Sequence, residues 1–321
     1  MFLTGFADEA SIDFKKQIEV TKRLGWSRIE ARCINGKNLA SLSDEEFEEV
    51  EEQLAESGIS INCFGSGVAN GGRDLRKEED FEASRKELTD AIPRMQKLGI
   101  KMIRGMSFAM ARGEQFDSPE LEAIIFRKVK TLVSICEDNG IIYGHENCST
   151  YGGQSFKHTL KLLEAINSPA FTLIFDTGNP VFTFRRIGNP PYPIQSSWEF
   201  YRKVKPFISY LHIKDACTEI DETAGGLKNM KCTFPGEGCG DVRAIVTDLI
   251  RTGYDGGFSM EPHIGMFYQS ATHGLKENDF IKQRKIDVYY EYGRRFEQLY
   301  KECKANVEAE KAEAVLWAKP I

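Results

Sequence analysis

At 321 residues, 41% hydrophobic and 28% charged, the chain is long enough for one large α/β barrel or two ordinary domains, and too balanced in composition for disorder. A net charge of −6 argues against a general nucleic-acid binder. No apolar run approaches the roughly 18–20 residues that cross a bilayer. The opening MFLTGFADEAS lacks the basic region and apolar core of a signal peptide. Eight cysteines without a CxxC pair read as reduced thiols of a cytoplasmic protein.

FLTGFAD (2–8) and SRIEARC (27–33) are the first predicted strands. SDEEFEEVEEQLAESG then has a helical pattern, with Asp44 and Glu45 near its start and Gly58 after its end. SINCFGSG (60–67) is a third strand, DFEASRKELTDAIPRMQKLG a helix, and KMIRGMSF (101–108) a fourth strand. IIYGHEN (141–147), FTLIFDTGN (171–179), ISYLHIKDA (208–216) and GFSMEPH (257–263) complete eight. A helix–Gly–strand phrase recurs at LGW, SGI, LGI, NGI and TGY, where glycine ends a helix before a short loop. Eight strands alternating with helices over about 260 residues match a (β/α)8 TIM barrel. An open doubly wound sheet is the alternative, weakened because no strand leads into GxGxxG.

Two stretches interrupt the pattern. Residues 180–197 form a Pro-rich, Arg-bearing loop, and residues 217–240 another, both on the side where barrel active sites are built. Each reads as a lid, a specificity loop or a tolerated insertion. The expected domains are a barrel over 1–275 and a C-terminal helical extension over 276–321. That extension would pack on the barrel or on a partner, through Val315, Leu316 and Trp317.

On barrel strands alternate side chains face inward, and those at the C-terminal ends meet at one mouth. Strands five to eight end in Glu146, Asp176, His212 and Glu261. Any one alone reads as a cap or a core residue. Four on successive strands point to a site for a divalent ion, Mn2+, Mg2+, Co2+ or Zn2+.

GHEN, FDTGN, YLHIKDA, PGEGCGD and SMEPH, with RIEAR on strand two, resemble the motifs of the xylose isomerase-like barrels of the sugar phosphate isomerase/epimerase superfamily. The resemblance covers residues 1 to about 270. It implies that Glu146, Asp176, His212 and Glu261 bind one metal ion, with Mn2+ the first choice. It also implies that Glu146 and Glu261 act as acid and base. A metal holding a carbonyl and a neighbouring hydroxyl stabilises the enediolate formed when the α-proton leaves.

The chain also departs from that pattern. Asn179 stands where many members carry a His, His145 directly precedes Glu146, and His263 shares the parity of Glu261. The His before the Glu resembles one branch, the metal-binding large subunit of bacterial C-glycoside deglycosidases. That resemblance implies a 3-keto C-glucoside substrate, a carbon–carbon bond cleaved by β-elimination with His145 as base, and a small β-rich partner subunit. Strand parity turns His145 away from the metal unless a bulge re-aims it. The alternatives are a ketose epimerase, an isomerase or an inosose-type dehydratase, and more remotely an abasic-site endonuclease relative.

Asn147 is expected to orient substrate or end its strand, and Asn179 and His263 to contact substrate. Lys214 would touch a substrate oxygen or pair with a barrel carboxylate, and Glu30 would hold a sugar hydroxyl or pair with Arg104. PGEGCGD reads as a turn or a phosphate cradle, with Asp241 capping the next helix. Arg185 and Arg186 would hold an anion or sit in solvent. Cys148 reads as packing.

Overall fold

The computed structural model describes residues 1–110, 115–221, 226–264 and 279–317. The strands are β1 (Phe2–Gly5), β2 (Arg28–Ala31), β3 (Ser60–Gly65), β4 (Met102–Gly105), β5 (Ile142–Glu146), β6 (Phe171–Asp176), β7 (Ile208–Ile213), β8 (Asp215–Asp221), β9 (Gly226–Thr233) and β10 (Gly257–Met260). All except β8 and β9 form one parallel sheet in the order β1-β10-β7-β6-β5-β4-β3-β2. A bridge between Phe6 and Glu30 ties its two ends together. The result is the expected (β/α)8 barrel, because the edges of an open sheet would not meet.

The helices are α1 (Phe14–Arg23), α2 (Asp44–Ser57), α3 (Glu78–Lys97), α4 (Pro119–Asp138), α5 (Phe156–Ile166), α6 (Ser197–Val204), α7 (Val242–Arg251) and α8 (Asp279–Trp317). At α2, Glu46 N donates to Ser43 Oγ (3.2 Å) and Ser43 N donates to Glu46 Oε2 (2.7 Å). This capping box satisfies two backbone donors that have no partner within the helix. The five helix-ending glycines, Gly25, Gly58, Gly99, Gly140 and Gly253, all have φ between 66° and 79°.

Most of the core lies between strands and helices, for example Phe47, Val50 and Leu54 of α2. Inside the barrel a small cluster of Cys63, Ile174 and Tyr210, with Phe2 and Met102, fills one end. From there the interior becomes polar. Thr4 Oγ1 donates to Asn62 Oδ1 (2.8 Å), Asn62 Nδ2 to Tyr210 Oη (2.8 Å), and Tyr210 Oη to Glu30 Oε2 (3.0 Å). Buried polar groups persist only when partnered, and this chain of bonds leads to the strand ends.

Residues 217–240, expected as a loop, contain most of an antiparallel hairpin, β8–β9. The alternation in CTEID and LKNMKC is its signature, obscured by their polar content. After it, the amides of Gly236, Gly238 and Gly240 donate to the Asp215 carboxylate at 2.8, 3.0 and 2.8 Å. The anion in this glycine-rich concavity is therefore the chain's own, which settles PGEGCGD as a turn. Asp241 occupies the N-cap position of α7, but its side chain makes no capping bond there. Its backbone is left-handed (φ 53°), and its carboxylate accepts from Trp198 N at 3.1 Å.

In 180–197, Arg185 pairs with Glu199 (2.7 Å). Arg186 donates to Gln154 Oε1 (3.1 Å) and lies over the Phe116 ring. Both arginines brace the segment.

Helix α8 buries Val288, Tyr289, Tyr292, Phe296, Leu299, Cys303 and Val307, and Tyr292 Oη donates to Ile213 O at 3.1 Å. Residues 308–314 are exposed. The side chains of Val315, Leu316 and Trp317, and the expected 275/276 boundary, lie outside the described residues. Among the described residues no helix is long and apolar enough to cross a membrane, and all eight cysteines are free.

Candidate metal centre

Parity along β5, β6, β7 and β10 brings Glu146, Asp176, His212 and Glu261 to one level. Asp176 is opposite His212 in the ladder, and Glu261 N donates to Ile213 O (3.0 Å). One ligand atom from each lies within 4.8 Å of the others, and all four residues are buried. Glu146 Oε2, Asp176 Oδ2, His212 Nδ1 and Glu261 Oε2 accept no directed hydrogen bond. Three of them face cations instead: Glu146 Oε2 lies 3.3 Å from Arg104, and Asp176 Oδ2 and Glu261 Oε2 lie 2.9 and 2.8 Å from Lys214. Three carboxylates and one imidazole that converge through atoms free of directed hydrogen bonds fit a divalent ion such as Mn2+, Mg2+, Co2+ or Zn2+.

The supporting contacts are specific. Glu30 Oε1 lies 3.2 Å from His212 Nε2. A carboxylate there requires the proton on Nε2, so Nδ1 faces Glu146 Oε1 (3.8 Å) and Glu261 Oε2 (3.7 Å). Glu30 therefore fixes the orientation of the His212 imidazole, while Arg104 pairs with Glu146 (3.3 Å). Asn147 does not reach into the mouth. Its amide donates to Asp176 O (3.0 Å) and accepts from Asp176 N (2.6 Å), fastening the end of β5 to that of β6. Asn179 Nδ2 donates to Glu146 Oε1 (2.8 Å), and its Oδ1 accepts from Lys214 Nζ (3.1 Å). Lys214 also lies 2.9 Å from Asp176 Oδ2 and 2.8 Å from Glu261 Oε2. Its stem crosses Gly178, where a β-carbon would come within 2.6 Å of Lys214 Cγ.

His263 faces the mouth, its side chain 23% exposed. Glu9 grips it through the backbone N (2.7 Å) and Nδ1 (2.8 Å), leaving Nε2 3.4 Å from Glu261 Oε1. Sequence reasoning missed Asp8, Glu9 and Arg32. Arg32 pairs with Asp8 (2.9 Å), Glu261 (3.2 Å) and Glu9 (3.5 Å). The available signal for Arg32 was parity, since it follows Glu30 by two residues; Asp8 and Glu9 lie in the short 3-10 turn Ala7–Glu9 beyond β1.

His145 is not brought to the cluster. The β5 ladders on both sides run without a register shift, so no bulge re-aims it. Its ring lies on the outer face, with Nε2 3.0 Å from Ser107 Oγ and an edge-to-face contact with Phe171. It fills the space over Gly152, where a β-carbon would fall 2.3 Å from His145 Cε1.

The electrostatics follow from burial and pairing. Burial pushes the Glu146 carboxyl up, but Arg104 and His212 outweigh it and hold it at about 2. Burial raises Asp176 to about 6 despite Lys214. Burial opposes charge on His212, yet Glu30 and Glu146 lift it to about 10. An ion held at Nδ1 would have to displace any proton there. Burial and Glu146 push the Cys148 thiol up to about 12, which leaves it inert as a nucleophile.

The family model for the xylose isomerase-like TIM barrel matches residues 18–282. The chain belongs to this family. Within the xylose isomerase-like barrels, it is 27% identical over 166 residues to the inosose dehydratase of Bacillus thuringiensis (strain Al Hakam), covering 48% of this chain and 51% of that protein. The chain thus spans about half the length of the curated relatives it matches. A xylose isomerase-like protein from Mycobacterium smegmatis, solved in complex with magnesium, superposes with a TM-score of 0.62 at 20% identity, covering 91% of this chain and 89% of that one. D-psicose 3-epimerase from Clostridium cellulolyticum H10, solved with D-tagatose, gives 0.62 at 16%, covering 92% and 99%. At these identities the structural likeness is one of fold.

Proposed function

We propose that the chain is a divalent-metal-dependent dehydratase. It would remove the proton α to the carbonyl of a polyhydroxylated ketone and eliminate water from the β-carbon. The observation that carries this reading is the set of four converging donor atoms, free of directed hydrogen bonds, on neighbouring barrel strands. Glu146, Asp176, His212 and Glu261 would hold the ion, with Mn2+ proposed first, and the ion would polarise the carbonyl and the neighbouring hydroxyl. Glu146, kept ionised by Arg104 and steadied by Asn179, accepts the α-proton. On the opposite side the Glu261–His263 pair supplies a proton to the departing hydroxyl, completing water. Arg32 and Lys214 keep Glu261 oriented.

Three inosose dehydratases among the relatives support elimination of water, and an inosose is the substrate class to test. Cleavage of a C-glycosidic bond, with a β-rich partner subunit, needs His145 as a base beside the ion. The outer-face position of that ring withdraws support from this reading.

The test is chelation and reconstitution with Mn2+, Mg2+, Co2+ or Zn2+, then mass spectrometry of an inosose incubated with the protein. Metal-dependent loss of one water is expected. No such product, with aglycone released from a 3-keto C-glucoside instead, would overturn the proposal in favour of the lyase.

A further inference from the structure

We propose that Lys214 is a resident counter-cation that shares oxygen atoms with the divalent ion. It would keep the centre assembled without metal, at the cost of ion affinity. This rests on the metal reading above. Lys214 Nζ lies 2.9 Å from Asp176 Oδ2 and 2.8 Å from Glu261 Oε2. Those two oxygens belong to the set of four atoms without a directed hydrogen bond. The distances are those of close ion pairs, yet the angles are not those of hydrogen bonds. The directed bond of the ammonium goes to Asn179 Oδ1 at 3.1 Å. Lys214 therefore lends charge to the metal-facing oxygens while its hydrogen-bonding geometry belongs to another partner.

The surroundings make that charge necessary. The side chains of Lys214, Asp176 and Glu261 are only 3%, 0% and 4% exposed, so water does little to screen them. Arg104 neutralises Glu146, and Arg32 takes the other oxygen of Glu261. The Oδ1 of Asp176 is held by the Gly178 and Asn179 amides, and among the described residues Lys214 is the cation in ion-pair contact with its Oδ2. The stem cannot swing far, because it is packed across Gly178. An ion bound by Asp176 and Glu261 thus has a fixed like charge beside it, and like charges at short range in a buried site repel strongly.

The sign of the consequence separates this role from that of a ligand or a structural prop, whose loss weakens metal binding. Calorimetric titration of chelated wild type, Lys214→Met and Lys214→Arg with Mn2+ tests it, alongside thermal melts with and without the ion. Lys214→Met should bind Mn2+ at least about tenfold more tightly. It should melt lower than wild type without the ion and gain more from adding it. Lys214→Arg, which keeps the charge, should stay near wild type. A Lys214→Met protein that folds only with Mn2+ supports the proposal, since the ion then supplies the missing charge. Equal or weaker binding by folded Lys214→Met overturns it, as does failure to fold at saturating Mn2+. Failure of the wild type to bind any ion would instead sink the metal reading itself.

Discussion

His212 lies with Nε2 3.2 Å from Glu30 Oε1 and with Nδ1 turned toward Glu146 and Glu261. Glu30 is therefore the residue that fixes which nitrogen is offered to an ion. Glu30→Leu should weaken metal binding by about 10–100-fold, the usual effect of losing a carboxylate behind a ligand imidazole. Glu30→Gln, which still offers an oxygen to Nε2, should lose less. Calorimetric titration of the two variants checks the ranking, and equal losses would contradict it.

Asn147 bonds Asp176 through both its backbone N and its backbone O. Asn147→Ala should leave those two buried groups unpaired and cost about 2–6 kcal/mol, at about 1–3 kcal/mol per lost partner. Urea unfolding measures the loss. Full retention of stability would mean the two strand ends are held together by something else.

His145 is a packing residue in this account, and burial pushes its imidazole down from 6.5 to about 4. Its folded-state value is depressed, so the stability it contributes is complete above pH 6.5 and is lost as pH falls toward 4. In that window the unfolded chain binds a proton that the folded chain does not. Between pH 6.5 and 4 wild type should lose up to about 1.4 kcal/mol per pH unit from this group. His145→Gln should have a shallower slope and lower stability at pH 7.5, yet retain most of its turnover per folded molecule. Turnover abolished in folded His145→Gln would return the base role to His145.

Asp215 collects the amides of Gly236, Gly238 and Gly240. Asp215→Ala should expose 234–240 to hydrogen exchange and to proteolysis, and Asp215→Asn should do so less. Unchanged protection in the alanine variant would remove Asp215 as the anchor of that turn.

Strand count, barrel closure and the convergence of four strand-end side chains were legible because each rests on period-two alternation and on one polar residue per strand end. Glu146, Asp176, His212 and Glu261 needed nothing beyond parity. The position of His145 was equally legible from parity, although the oddity of its neighbours invited a bulge that the ladder does not contain. Pairings among interior residues were not legible, because any inward-facing acid can reach several inward-facing cations. Glu30 meets His212 instead of Arg104, and Arg32 bridges to Asp8, Glu9 and Glu261. The β8–β9 hairpin was hidden by its polar, glycine-bearing sequence.

The central claim is that four strand-end side chains hold one divalent ion. Elemental analysis after reconstitution with Mn2+ and desalting tests it most directly, in wild type and in Glu146→Gln, Asp176→Asn, His212→Ala and Glu261→Gln. About one ion per chain is expected in wild type, with a clear loss in every folded variant. A metal-free wild type, or stoichiometry unchanged across all four variants, would contradict it.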